Sequence, residues 1–202
     1  MTTIPAFIDA RRSIRSFTNE PVSLDALDVL VMAACSAPAP HHSRPWRFVV
    51  VHSDDAKQRL AAGMGACWRA DLGADGVDPS RIDELVSRSH EKIIEAPALV
   101  LGCLTWDGLD RYPDADRQRA EWGMALLSLG AAVENLMLAA AASDLASCWV
   151  AAPIFCPEAA RDALGLAELW LPHALIMLGH PDPNYVGRPR PPVPLEDLRA
   201  RR

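Results

Sequence analysis

The stretch AEWGMALLSLGAAVENLMLAAAA, residues 120–142, decides the fold. It is long, free of proline and rich in Ala, Leu and Met, which are strong helix formers, so it predicts a helix. It is apolar on nearly every side, and such a helix is either buried all round or spans a membrane. Glu121, Glu134 and Asn135 argue against a span, because a carboxylate at mid-bilayer is costly. The stretch therefore reads as the central helix of a soluble fold. Its small residues, Gly123, Ala125, Gly130, Ala131 and Ala132, let another backbone approach closely. A domain of this size has difficulty hiding such a helix with one copy of itself. Part of it is expected to face a second subunit, against the simpler reading of a core helix in a monomer.

Composition sets the surroundings of that helix. The chain has 202 residues, half of them hydrophobic, which suits a single domain with a proper core over residues 1–202. A net charge of −6 disfavours general nucleic-acid binding. Eighteen arginines stand against two lysines, Lys57 and Lys92, and arginine is the better fork for phosphate. The five cysteines (35, 67, 103, 148 and 156) are odd in number and form no CxxC. They read as small core residues or free thiols in a reducing compartment, not as a disulfide or zinc framework. MTTIPAFIDARRS at the start has no apolar run, so no signal peptide is expected and the cytoplasm is the default location.

Two segments on the N-terminal side carry candidate chemistry. Thr3 caps a short helix that runs into Arg11, with Pro5 near its first turn. Arg11-Arg12-Ser13-Ile14-Arg15, followed by Ser16, concentrates guanidinium forks and hydroxyls, which is what a phosphate monoester needs. The same residues also read as a solvated basic turn. Ser23 caps a helix over 24–34, apolar at Leu27, Leu30, Val31 and Ala34. Ala37-Pro38-Ala39-Pro40-His41-His42-Ser43-Arg44-Pro45-Trp46 follows, and its prolines forbid helix. A buried strand over 47–52 comes next, and a rigid polar loop entering a core strand is a usual place for a binding site. His41 and His42 point apart in an extended chain and have no third ligand nearby, so no metal is expected.

The rest of the chain alternates helix and strand. Asp54 caps a helix over 56–71, which Gly73-Ala74-Asp75-Gly76 breaks. A helix over 80–95 and a core strand over 98–104 follow. Residues 105–116 are irregular and, with 73–76, read either as a lid or as surface excursions. A third strand is expected over 147–152, where Cys148 is core rather than catalytic. Pro157 opens a helix that ends at Gly165, and 173–179 is the fourth strand. The tail, 180–202, holds six prolines between Pro181 and Pro194 and is expected to be extended, without helix. Gly63-Met64-Gly65 is no dinucleotide fingerprint, so a nicotinamide donor would bind only transiently.

RRSxR at 11–15, a helix, then an AP and a polar loop ending in Pro-Trp before a strand together resemble the FMN-dependent nitroreductase family. APAPHH with the following RP, and Cys67-Trp68-Arg69-Ala70-Asp71-Leu72, resemble more narrowly the C-terminal flavin domain of FbiB-type enzymes of deazaflavin-coenzyme biosynthesis. The loop departs from the family pattern, with His42 in the place of an Asn and Arg44 in the place of a Gln. Asp144 and Ala146 likewise replace two glycines. The resemblance implies an α+β fold, with a mixed, largely antiparallel sheet flanked by helices, in an intertwined homodimer. It implies FMN at the subunit interface, its phosphate meeting Arg11, Arg12, Ser13, Arg15 and a tail arginine, Arg188 or Arg190. The ring would lie over Pro40, His41, His42, Ser43 and Arg44 of one chain, and near the Ala151 and Ala152 N–H groups of the other. Read without the resemblance, Ala151-Ala152-Pro153 is an ordinary strand end. Residues 180–202 would be an arm that crosses to the partner, with 193–198 covering an edge. The activity implied is hydride transfer from reduced FMN to the dehydro precursor of the deazaflavin coenzyme, with His41 or His42 as proton donor. The alternatives are a broad NAD(P)H-dependent nitro or quinone reductase, a flavin-binding protein without turnover, and a dimeric scaffold without flavin. Neither nucleic acid nor membrane is expected as a partner.

Overall fold

A computed structural model describes residues 5–187 and 189–201. The Thr3 cap and the Arg188 candidate lie outside the described residues. After a short helix α1 (Ala6–Ala10) the chain enters α2 (Leu24–Cys35), whose N-terminus is closed as its sequence requires. The Ser23 side chain accepts a hydrogen bond from the Ala26 N–H. Strand β1 (Trp46–Val51) leads to α3 (Asp54–Ala74), α4 (Pro79–Glu95) and strand β2 (Ala98–Leu104). The long helix α5 (Ala115–Ala142) returns the chain to β3 (Ala146–Val150). Helix α6 (Pro157–Leu164) and strand β4 (Leu171–Gly179) complete the core, and one helical turn, α7 (Leu195–Leu198), lies in the tail.

The sheet runs β1-β2-β4-β3, and each neighbouring pair of strands is antiparallel. Its parallel element is the isolated bridge between Ser13 and Ser147. The central strands bury both faces, which is why their sequences are continuous apolar runs rather than alternating ones. Val100 of β2 and Ile176 and Leu178 of β4 pack toward Leu27 and Leu30 of α2 and Leu129 and Leu136 of α5. Leu99 and Leu101 of β2 and Leu175 and Met177 of β4 pack toward Leu60 and Met64 of α3, Ile93 of α4 and Ala160 of α6. Helices therefore cover the sheet on both sides. Each large side chain buried this way contributes about 1.5–3 kcal/mol.

Helix α5 is long and apolar enough to cross a bilayer, yet Leu129, Val133, Leu136 and Ala140 sit in the core. Part of its surface is not covered by this chain: Leu127 is 77% exposed, with Leu126 and Met124 also open.

Several local expectations shift in the structure. Ser53, not Asp54, caps α3 by accepting from the Ala56 N–H, and the helix continues through Gly73. It ends at Asp75, and the next residue, Gly76, takes φ +75°, which the missing Cβ allows. Asp78 caps α4 one residue before Pro79, and its carboxyl is held below the usual range, chiefly by the Ser80 hydroxyl. Strand β3 stops at Val150 because Pro153 draws residues 152–155 into a 3-10 turn. The tail is not wholly extended, since Leu195–Leu198 is free of proline and forms a turn of helix. That turn is exposed and covers no edge of this chain.

Gly179 lets the N-terminal segment lie against the end of the sheet. A Cβ there would stand 2.8 Å from the Pro97 ring and 2.9 Å from Phe17. Gly179→Ala is therefore expected to destabilise the protein by about 1–3 kcal/mol, the range for overpacking a tight site. Urea unfolding of the variant checks this, with a midpoint equal to that of the wild type counting against it.

Candidate functional site

The basic run at 11–15 is stitched to the edge of the sheet. The Ile14 N–H donates to the Ser147 carbonyl at 3.0 Å, and Ser147, at the start of β3, is buried. The first part of the tail zips along the same segment. The Thr18 N–H donates to the His180 carbonyl at 2.9 Å, and the Ser16 hydroxyl donates to Asp182 at 3.0 Å. Backbone N–H donation from Asn184 and the Ser16 hydroxyl hold the Asp182 carboxyl below its usual range. In this chain residues 180–187 thus fold back on their own N-terminal turn. The Arg190 guanidinium donates to the Arg11 carbonyl at 2.6 Å.

These contacts enclose a cavity of about 700 Å³, lined by Arg11, Arg12, Ser13, Arg15, Arg190 and Lys92. Tyr185, Val186 and Gly187 form its tail side. Of the expected phosphate ligands, Arg11 is also engaged elsewhere: its Nε lies 3.0 Å from Glu134 of α5. Lys92 was not anticipated. It sits in the last turn of α4, and the signal available was its scarcity, as one of two lysines in a chain of eighteen arginines. The other lysine fixes the same helix end. Buried Lys57 donates to the Ile94 and Ala96 carbonyls at 3.3 and 3.2 Å, satisfying acceptors that a helix C-terminus leaves open.

Ala151 and Ala152 follow β3 directly. Ala152 and Val150 border a second cavity of about 470 Å³, whose walls include Trp68, Phe155, Cys67 and Cys156. Ser89 and Ile93 face this space, whereas Lys92 faces the basic one, so the end of α4 is a wall common to both. The sequence marked Cys67-Trp68 only through resemblance and did not mark Phe155. The structure leaves Phe155 77% exposed beside the cavity.

The other expected segment, Pro40 to Arg44, lies elsewhere. It enters β1, which is the far edge of the sheet from β3. Three inter-strand steps separate the two edges, roughly 14 Å. Pro40–His42 forms a 3-10 turn, and His41, His42 and Arg44 adopt φ of 53°, 54° and 46°. Their side chains are exposed, while the Ser43 hydroxyl is buried and has no hydrogen-bond partner among the described residues. Gly108 packs against Ser43, and 73–76 lie at the end of α3. Among the described residues no group of three or more His, Cys, Asp or Glu is arranged to hold a metal. One chain therefore brings together Arg11, Arg12, Ser13, Arg15 and Arg190, with Ala152 across the end of α4. It does not bring Pro40, His41, His42, Ser43 and Arg44 to them.

The sequence model of the nitroreductase family matches residues 8–180. The chain is 27% identical to "Putative NAD(P)H nitroreductase YfhC" of Bacillus subtilis (strain 168) over 189 residues, 92% of this chain and 88% of that one. It is 39% identical to the iodotyrosine deiodinase of Haliscomenobacter hydrossis over 54 residues, so the match spans 27% of this chain and 24% of the deiodinase. Among solved structures, a BluB-like flavoprotein from Clostridium difficile 630 superposes with a TM-score of 0.74 at 22% identity, covering 96% of both chains. A nitroreductase with bound FMN from Bacteroides fragilis NCTC 9343 gives 0.71 at 22% identity, covering 93% of both.

Three thiols underlying or lining the site, Cys103, Cys148 and Cys156, are made poor nucleophiles by burial. Burial pushes Cys103 up to about 12 and Cys156 up to about 11, and it also raises Cys148. The thiolate is the nucleophile, so a raised pKa keeps these residues protonated near neutral pH. Iodoacetamide at about pH 8 is expected to leave Cys103, Cys148 and Cys156 intact in the native protein, and to label all five cysteines after unfolding. Peptide mass mapping reads the outcome, and native labelling of Cys148 would contradict its assignment to the core.

Proposed function

The chain belongs to the nitroreductase family, and on that premise we propose that it is a cytoplasmic, FMN-dependent oxidoreductase working as a homodimer. The observation that carries this reading is the basic cavity, whose wall at the end of α4 also borders Ala152. A phosphate monoester carries nearly two negative charges. Arg12, Ser13, Arg15 and Arg190 offer it guanidinium forks and a hydroxyl, and Lys92 adds a point charge. Arg11 acts mainly by position: it holds Glu134 through its side chain and Arg190 through its carbonyl. Bound FMN would supply the hydride chemistry, and the protein supplies position and electrostatics. Ala151 and Ala152 present backbone N–H donors with small side chains, which leaves the approach to the flavin ring open.

The His41–Arg44 turn reaches such a site only from a second copy. The open apolar residues of α5, and a groove of about 420 Å³ between that helix and Pro38, Ala39 and Pro40, favour that copy as occupant. The dimer would bury about 2,000 Å² or more, the scale of obligate dimers. Sedimentation at micromolar concentration is expected to show a dimer. A stable monomer with FMN bound would contradict the composite site.

The substrate reading is reduction of the dehydro precursor of the deazaflavin coenzyme. His41, His42 and Arg44 put donors and a cation where a broad reductase has neutral amides, which fits an acceptor carrying a phosphodiester and a carboxylate. Hydride adds to its enol-type double bond, and the proton comes from His41, His42 or water, giving the saturated product. The apolar cavity beside Trp68 and Phe155 favours the second reading, NAD(P)H-dependent reduction of nitroaromatics or quinones. Photoreduced enzyme mixed with the dehydro precursor is expected to yield a product heavier by two hydrogens. Reduced flavin that persists with that compound, but is reoxidised quickly by nitroaromatics, selects the second reading. Flavin that no reductant can reduce indicates a binding protein.

Arg15→Ala is expected to weaken FMN binding by about 1.5–3 kcal/mol, the value of a charged hydrogen bond. Arg11→Ala is expected to weaken it less, because the Arg11 guanidinium is held by Glu134. Flavin titration of both variants tests the phosphate assignment, and unchanged affinity in both removes it.

A further inference from the structure

His41, His42 and Arg44 occupy the left-handed region, which residues with a Cβ adopt only when their surroundings over-determine it. The turn closes locally, with the His42 N–H donating to the Ala39 carbonyl at 3.2 Å and the Ser43 N–H to the Pro40 carbonyl at 3.0 Å, and residues 105–110, directly after β2, pack against its C-terminal end. The Thr105 N–H donates to the Pro45 carbonyl at 2.8 Å, extending the β1–β2 ladder past its last pair. Arg47 donates to the Arg44 carbonyl at 3.3 Å and to the Trp46 carbonyl at 2.8 Å, and its other nitrogen lies 3.1 Å from Asp107. Gly108, at φ +75°, lies directly on Ser43: a Cβ there would stand 3.0 Å from the Ser43 carbonyl oxygen.

The segment is itself anchored on α5. Trp106 stacks on Trp122 with ring centroids 4.4 Å apart, and the Asp110 N–H donates to the Glu121 carboxylate at 3.2 Å. Glu121 is 3% exposed, and its second oxygen is buried without a hydrogen-bond partner among the described residues. A buried carboxylate carries a desolvation cost and adds nothing to packing that an apolar residue could not supply. The contact it does make is the one that fixes the end of this segment.

We propose that residues 105–110 form a strap that sets the His41–Arg44 turn, with Gly108 as its contact and Glu121 as its buried anchor. Both are positioning residues for the acceptor side of the site. The functional half of this proposal rests on the reading of the His41–Arg44 turn as part of a composite flavin site. The structural half does not.

The test compares Gly108→Ala, Glu121→Leu and Glu121→Gln in the full-length protein. The glutamine keeps an oxygen that accepts from Asp110, and the leucine does not. Gly108→Ala and Glu121→Leu are expected to lower kcat/KM for the acceptor tenfold or more, mainly through KM, with FMN affinity within threefold of wild type. Glu121→Gln is expected to stay within threefold on both counts. Histidine ring proton–carbon spectra of the flavin-free protein give an independent readout. Gly108→Ala should shift the His41 and His42 signals and leave His52 and His90 in place. Unmoved His41 and His42 signals, or a Glu121→Gln variant as impaired as Glu121→Leu, would overturn the strap. Should Gly108→Ala not fold, Asp107→Ala, which cuts only the bridge to Arg47, carries the spectral test. If the wild type neither binds FMN nor turns over, the flavin reading fails while the histidine spectra still decide the strap.

Discussion

The structure depends on the burial of α5 and α2 against one face of the sheet, with α3, α4 and α6 against the other. That double covering goes with nearly continuous apolar sequence in β2 and β4, His173 of β4 being the exception, and leaves little sheet face on which a polar ligand could sit. Charges in such a core are costly, because desolvating them takes several kcal/mol each, and the buried ones, Lys57 and Glu121, hold backbone groups. The candidate binding groups therefore emerge at strand ends, at the two edge strands and, for Lys92, at the end of a covering helix. The Arg11–Arg15 turn uses the β3 edge, and the His41–Arg44 turn uses the β1 edge. The distance between the parts of the candidate site follows from how the core is covered.

At the β3 edge, the cations are held by contacts that are themselves buried or paired. Ser147 receives the backbone of the basic turn, Glu134 holds Arg11, and the Ser16–Asp182 contact brings Arg190 back over the turn. Lys57 deep in the protein secures the last carbonyls of α4, from which Lys92 projects. The two lysines divide the work: the buried one neutralises a helix end, and the other reaches a cavity. An arginine at either place would differ, since its planar fork suits bidentate acceptors rather than converging carbonyls or a point contact.

Much of this was legible in the sequence, for physical reasons that differ by element. The apolar runs of β2 and β4 and the proline-free length of α5 are signals that survive any tertiary context. Ser23, Pro157 and Gly165 act locally, so they fixed helix ends as read. Ser53 and Asp54 compete for one cap, and sequence spacing alone does not choose between them. The basic turn was readable as a cluster of cations because its residues are adjacent. Lys92 was not, because it converges with them only after α4 packs. The left-handed conformation of His41, His42 and Arg44 had no glycine to announce it, and part of its packing comes from residues 105–110, sixty residues away in sequence. The Arg11–Glu134 pair joins residues far apart in the chain and engages an arginine that also lines the basic cavity, a contact no local pattern announces.

A site split between two edges ties ligand binding to assembly. On the proposed reading, FMN contacts Arg12, Arg15 and Arg190 of one copy and the His41–Arg44 turn of another. A ligand that binds only the assembled form stabilises that form by mass action, in proportion to RT ln(1 + [L]/Kd). The exposed apolar residues of α5 then serve two ends. They supply the non-directional association that a polar, divided site cannot provide alone, and they set the position of the second copy relative to Ala151 and Ala152. The left-handed turn must hold its shape before that copy arrives, because a loose turn would add its ordering entropy to the cost of assembly. A turn fixed by contacts within its own chain presents His41, His42 and Arg44 to the partner already organised.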